Sequence, residues 1–194
     1  MRSVDPAIFR FTSEVDGLNQ KEFARRRRHL RELVGARGIV VVPAAPERVR
    51  SRDTLFEYRP DSDLFYLTGF SEPEALAVLV PGREQGEFLL FCRERDPERE
   101  RWDGARCGPE AAVAKFGCDD AFPIGDVDEI LPGLLEQSER VYYPMGTAPE
   151  FDQRLLGWLK TLNAKRQSGH APSEIVSLGH LLHEMRLFKS RAET

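Results

Sequence analysis

The sequence predicts an α/β fold in which helices flank a mixed sheet of five or six strands. Short apolar runs rich in β-branched residues alternate along the chain with amphipathic segments of helical spacing. Two of these runs are separated only by the turn sequence 81–86, which predicts an antiparallel hairpin, whereas helical crossovers predict parallel pairs. The 194 residues, 41% of them hydrophobic, suffice for one domain with its own core.

The chain is expected to begin with an N-terminal arm, because residues 1–19 are polar and irregular in pattern. The domain itself is predicted over residues 20–187. Its first helix covers residues 20–34, since Leu30 and Val34 fall near helical spacing and glycine follows as a stop signal.

Five segments predict strands, because each is a short apolar run bounded by glycine or proline. They lie at 39–42, 64–68, 75–80, 87–92 and 140–143. The assignment of 64–68 depends on side chains that alternate from one residue to the next, as in a strand. A short extended piece is expected at 119–124, and further helices at 110–116, 127–135, 149–162 and 173–187.

The charge balance excludes nucleic acid as a main partner, because the formal net charge is −4 and phosphate binding needs a basic surface. The basic run Arg25 to Arg28 lies on the first predicted helix, where consecutive residues point about 100° apart and cannot form one stripe. We therefore predict a solvated face whose long stems cover apolar neighbours. No run approaches the roughly 20 apolar residues that cross a bilayer, so no membrane partner is expected.

Cysteine usage and the N-terminal sequence predict a cytoplasmic location. Three cysteines without a CxxC spacing argue against a disulfide scaffold or a structural zinc site. The first residues lack the apolar run and small-residue cleavage site of a secretory signal.

The chain carries no complete catalytic or metal-binding motif. His183-Glu184 begins like the zinc-protease pattern HExxH, but Leu187 occupies the position of the second histidine. P-loop, GxGxxG and GxSxG patterns do not occur. Five carboxylates cluster in one region, and loop caps or a solvated face are their default interpretation: Asp53, Glu57, Asp61, Asp63 and Glu72. Neither catalytic nor metal-ligating residues are therefore assigned.

Two blocks of sequence carry a family resemblance. The stretch 50–73 reads RSRDTLFEYRPDSDLFYLTGFSEP, and the stretch 183–190 reads HEMRLFKS. Both resemble the amino-terminal domain of the Xaa-Pro aminopeptidases (aminopeptidase P), relatives of prolidase and creatinase. A weaker block combines Arg166-Gln167 with Ala171-Pro172. The resemblance spans residues 20–190, and it implies the mixed α/β fold of the creatinase and prolidase amino-terminal domains.

The resemblance also implies a parent enzyme that is longer than this chain. Such enzymes remove the N-terminal residue of a peptide whose second residue is proline, using two divalent metals, usually Mn²⁺, in a carboxy-terminal domain. Residues 188–194 would then start the linker to that domain. This chain alone holds no metal ligands of that kind, so it is expected to be inactive.

Three residues match family positions that contact substrate, namely Trp102, Arg166 and Asp53. The family's matching tryptophan reaches the active site of a neighbouring subunit, which implies that the parent is a homo-oligomer, a dimer or tetramer. The matching arginine lies near the substrate, and the matching aspartate helps to position it. We expect Trp102 to project into solvent from the charged loop 93–108, and Asp53 and Arg166 to lie close together.

Two other functions stay open at this stage. The chain could be a stand-alone, non-catalytic binding module, or the corresponding domain of a creatinase-type hydrolase that acts on non-peptide substrates. Trp102 and Arg166 favour the aminopeptidase, because they suit contacts with a peptide.

Overall fold

The computed structural model describes residues 14–15, 18–165 and 171–189 of the chain. The first half contains β1 (Glu14–Val15), β2 (Leu18–Asn19), α1 (Gln20–Val34), β3 (Gly38–Pro43), β4 (Val49–Ser51), β5 (Thr54–Leu55), α2 (Ser62–Thr68), β6 (Leu76–Leu79) and β7 (Phe88–Cys92). The second half contains α3 (Glu100–Asp103), α4 (Pro109–Phe116), β8 (Asp120–Pro123), α5 (Val127–Glu136), β9 (Arg140–Tyr143), α6 (Pro149–Ala164), β10 (Glu174–Ser177) and α7 (Gly179–Leu187).

Six strands form one mixed sheet in the order β10-β9-β3-β6-β7-β8. Strand β6 runs antiparallel to both of its neighbours, and the other adjacent pairs are parallel. The β6–β7 pair is the predicted hairpin. The predicted fold class is therefore confirmed. Two short hairpins, β1–β2 and β4–β5, stand apart from this sheet.

Helices cover both faces of the sheet and divide the core into two clusters. Alternate residues of β3 point to opposite faces, so Val40 and Val42 join one cluster while Ile39 and Val41 join the other. The first cluster takes its helical side chains from α1, α2, α4 and α7, and the second takes them from α5 and α6. The central strands are buried on both faces, which explains their continuous apolar runs.

The prediction of a strand at 64–68 is wrong, because these residues belong to helix α2. The carboxylate of Asp61 accepts hydrogen bonds from the backbone N–H groups of Asp63 and Leu64, both at 2.9 Å, and so caps the start of the helix. Gly69 ends it in the left-handed conformation, with φ 71°. Leu64, Tyr66, Leu67 and Thr68 are all buried, so burial here does not alternate as it would in a half-exposed strand.

The prediction of one helix over 173–187 is only partly right. Residues Glu174–Ser177 form β10, which pairs in parallel with β9, and α7 begins at Gly179. Ile175 and Val176 are β-branched and lie opposite residues of β9, so pairing with the sheet outweighs a helical start.

Half of the basic run of α1 is more buried than the sequence predicts, whereas Arg25 and Arg28 are exposed as expected. Arg26 and Arg27 are 2% and 5% exposed. Their guanidinium groups donate to the carbonyls of Tyr66 and Leu67, each at 2.9 Å, and lie 4.1 Å from the ring centroids of Tyr66 and Phe88. Those carbonyls are in the last turn of α2, where a helix leaves carbonyls without partners. The two arginines therefore tie α1 to α2.

Candidate functional site

Two of the three predicted site residues lie on segments that leave the same edge of the sheet. Strands β3 and β7 point the same way, because β6 lies antiparallel between them. The segment 44–61 follows β3 and carries Asp53, and the segment 93–108 follows β7 and carries Trp102. In α/β sheets, residues after the carboxyl ends of parallel strands commonly build the functional site.

Asp53 lies at the turn of the β4–β5 hairpin. Arg52 beside it has a positive φ of 46°, which allows the tight reversal between Ser51 and Thr54. Residues 46–57 are all exposed, including the apolar side chains of Val49 and Phe56. The hairpin therefore presents Asp53 to solvent.

Trp102 is 89% exposed, as predicted. It lies on α3, a single helical turn within the 93–108 segment, whereas the sequence predicted an irregular loop. The neighbouring Arg99 and Arg101 are exposed as well. An indole in this position buries almost none of its surface on its own domain, which favours contact with another molecule or domain.

The 93–108 segment is braced internally around the carboxylate of Glu100. Arg95 donates two hydrogen bonds to that carboxylate, at 2.6 and 3.0 Å, and the backbone N–H of Asp96 donates a third at 3.2 Å. The side chain of Asp96 in turn accepts from the backbone N–H groups of Glu98 and Arg99. The hydrogen bonds that Glu100 itself accepts, with the Arg95 contact first, lower the pKa of Glu100 and favour its charged form.

The base of the segment is held by a buried carboxylate, Glu72, whereas the sequence predicted a loop cap or a solvated face for this group. Glu72 is 1% exposed. Its Oε1 accepts the backbone N–H of Cys107 at 2.7 Å, and its Oε2 lies 3.5 Å from Nη2 of Arg93. Burial raises the pKa of Glu72, while the Cys107 N–H and the charges of Arg93 and Arg106 oppose that rise. The sequence signal was the place of Glu72 in the GFSEP stretch, which belongs to the block that carries the family resemblance.

Arg166, the third predicted site residue, lies outside the described residues. The structure therefore places Asp53 and Trp102 on segments that leave the same end of the sheet, and the predicted proximity of Asp53 and Arg166 stays a prediction.

A separate groove of about 530 Å³ opens beside the start of α6. It is mainly apolar, and its wall includes Glu74, which has a positive φ of 50°. Its lining residues are 43–47, 74–76, Ile124, 148–151 and Arg154, so neither Asp53 nor Trp102 reaches it.

Neither a metal-binding cluster nor a membrane-spanning helix occurs in the part of the chain that the structure describes. Across residues 14–15, 18–165 and 171–189, His, Cys, Asp and Glu side chains form no group of three or more suited to a metal ion. Within those same ranges, every helix is too short or too polar to span a bilayer.

Comparison with known proteins places these features in a family. Residues 23–142 match the family "Aminopeptidase P, N-terminal domain". The Xaa-Pro aminopeptidase of Escherichia coli is 37% identical over 91% of this chain and 40% of its own length. The human Xaa-Pro aminopeptidase 3 is 31% identical over 97% of this chain and 39% of its own length.

Solved structures agree with the curated relatives. Aminopeptidase PepP of Pseudomonas aeruginosa superposes with a TM-score of 0.87 at 53% identity, covering 91% of this chain and 40% of that protein. The low-pH form of E. coli aminopeptidase P superposes with a TM-score of 0.85 at 37% identity, with the same coverage. The chain spans about 40% of the length of these relatives. The chain therefore belongs to the family of aminopeptidase P amino-terminal domains.

Proposed function

We propose that this chain is the amino-terminal domain, over residues 20–187, of a cytoplasmic Xaa-Pro aminopeptidase. The whole protein removes the N-terminal residue of a peptide whose second residue is proline. The family match and the coverage of about 40% of each relative support this proposal. Residues 188–194 start the linker to the carboxy-terminal catalytic domain, which holds two Mn²⁺ ions and is the main partner of this domain.

The domain contributes to the parent enzyme by supporting its oligomer, a dimer or tetramer, and by walling a substrate pocket. The observation that carries this role is the 89% exposure of Trp102 on a segment braced by Arg95 and Glu100. Across the subunit interface, its indole supplies apolar surface to a neighbour's bound peptide. Asp53 and Arg166 position the substrate within the same active site.

Subunit complementation in the whole protein tests this role. One variant is Trp102→Ala, and the second retains Trp102 but has lost one metal ligand of the catalytic domain. When the two are mixed under conditions that exchange subunits, intact catalytic domains receive Trp102 from the second variant. We expect the activity of the mixture on an Xaa-Pro peptide to exceed the sum of the activities of the two variants measured separately. A strictly additive activity, with subunit exchange verified, would refute a role across subunits.

A further inference from the structure

A buried carboxylate fastens both ends of the segment that carries Trp102. Arg93 is the first residue after β7, and Cys107 lies just before α4, with residues 94–106 between them. Both ends meet Glu72, through the 3.5 Å ion pair to Arg93 and the 2.7 Å hydrogen bond from the Cys107 N–H. We infer that Glu72 is a positioning residue, which holds Trp102 at the place where the parent enzyme needs it. This inference rests on the proposed function.

The surroundings of Glu72 fit this role, because the charges at the base of the segment are buried together. Arg93 and Arg106 are each 9% exposed, and both act electrostatically on the Glu72 carboxylate. Buried charges persist in proteins where opposite charges and hydrogen bonds compensate the loss of water. Removing the Glu72 side chain leaves two buried cations and one backbone N–H without that carboxylate.

The position of the segment's tip depends on this base, because the indole of Trp102 packs so little on the domain. A side chain that is 89% exposed is placed by the backbone that carries it. The brace between Arg95 and Glu100 shapes the tip, but both residues lie within the segment and cannot anchor it to the sheet. Glu72 links the segment to the loop before β6. A preorganised contact loses less entropy on binding than a mobile one.

Hydrogen exchange on the whole protein measures the anchoring directly. We expect Glu72→Ala to speed exchange of amides in peptides covering residues 94–106 by about tenfold or more, with β7 little changed. Glu72→Gln keeps an oxygen that can accept the Cys107 N–H, so most of the protection against exchange should be retained in this variant. It therefore keeps the test informative if Glu72→Ala folds poorly. The matched control is Glu87→Gln, since Glu87 accepts the Gly82 N–H and pairs with Arg31 at the other end of β7. Unchanged exchange in Glu72→Ala, or equal acceleration in the control, would overturn the inference.

A double-mutant cycle measures whether Glu72 acts through Trp102. We expect Glu72→Ala to lower kcat/KM by about tenfold in the wild-type background and by less than about twofold when Trp102→Ala is already present. An undiminished loss in that background would contradict a positioning role. An unchanged kcat/KM in Trp102→Ala alone would instead refute the proposed function, while the exchange experiment would still decide whether Glu72 anchors the segment.

Discussion

At the scale of one residue, we expect Trp102→Ala to lower activity while leaving stability nearly unchanged. Because its side chain is 89% exposed, Trp102→Ala removes almost no contact within the domain. We expect the free energy of unfolding to change by less than about 0.5 kcal/mol. In the whole protein, kcat/KM on an Xaa-Pro peptide should fall by about tenfold to a hundredfold, as for the loss of an aromatic interface contact.

Denaturant unfolding and steady-state kinetics of the same variant provide the two measurements. Trp158 offers a contrasting position, because it packs edge-on against Phe151 and donates to the carboxylate of Asp128. Trp158→Ala should lower stability instead. A large fall in the stability of Trp102→Ala, with normal kinetics, would mean that Trp102 serves the fold.

The burial of Glu72 predicts how the stability of the protein changes with pH. Burial raises the pKa of Glu72 above its ordinary value, so ionisation of this carboxyl is less favourable in the folded state. Its contribution to stability is fully present below the unfolded pKa and is lost as pH rises through the folded pKa. Glu72→Gln stays neutral at every pH and lacks this loss.

The stability of Glu72→Gln relative to the wild type should therefore increase as the pH is raised from about 4, near the ordinary pKa of a glutamate, toward neutrality. Urea unfolding of both proteins across that range gives the difference. Glu87→Gln is the control, because Glu87 lies at the other end of β7 with a side chain that is 35% exposed. A difference that stays constant with pH would contradict the prediction.

At the scale of an element, helix α2 depends on the glycine that ends it. Gly69 has φ 71°, and a Cβ at this position would lie 2.8 Å from the ring of Phe23. Gly69→Ala therefore combines an unfavourable backbone conformation with overpacking of the core, and we expect it to cost about 2–4 kcal/mol.

The matched control is Gly133→Ala within α5, where a Cβ would meet nothing within 4 Å. Alanine has the higher helix propensity, so this change should stabilise the protein by about 0.5–1 kcal/mol. Thermal unfolding of the two variants makes the comparison. If both substitutions changed the stability equally, the contact with Phe23 would not restrict which side chain residue 69 can carry.

At the scale of the whole molecule, the reactivity of the three cysteine thiols shows whether one core cluster stays packed. Cys92, Cys107 and Cys118 are at most 4% exposed and belong to the same cluster. Burial raises the pKa of Cys92 and Cys118 to about 12 and that of Cys107 to about 11. Since the thiolate is the reactive form, these raised pKa values leave almost none of the three thiols in the reactive form near neutral pH.

We expect a thiol reagent to modify all three cysteines together, and only when the protein unfolds. The number of thiols modified at about pH 8, with and without denaturant, is the measurement. Rapid modification of a single cysteine in the native protein would show that this face of the core opens locally.

Under the proposed function, catalysis needs the whole parent protein, and we expect this chain alone to be inactive on an Xaa-Pro peptide in the presence of Mn²⁺. Metal-assisted hydrolysis needs side chains that hold the ion and activate water. Release of the N-terminal residue is the assay, and the whole protein serves as positive control. Turnover by the isolated chain that a chelator abolishes would contradict the proposal.

The candidate site was only partly predictable from the sequence. The exposed position of Trp102 followed from its charged surroundings, because no local apolar run could cover an indole there. The role proposed for Glu72 did not follow, since its partners Arg93 and Cys107 lie 21 and 35 residues away. A carboxylate looks the same in a sequence whether it faces solvent or a buried guanidinium.

The fold class could be predicted from the sequence alone, as could four of the five predicted strands, at 39–42, 75–80, 87–92 and 140–143. Those runs are buried on both faces or pair across a short turn, so local composition specifies them. The helix at 64–68 and the burial of Arg26 depend on contacts in the folded domain. A short apolar run fits either a strand or a helix, and one partner of Arg26 is a carbonyl 40 residues away. Contacts that join distant parts of the chain exist only once the domain has folded.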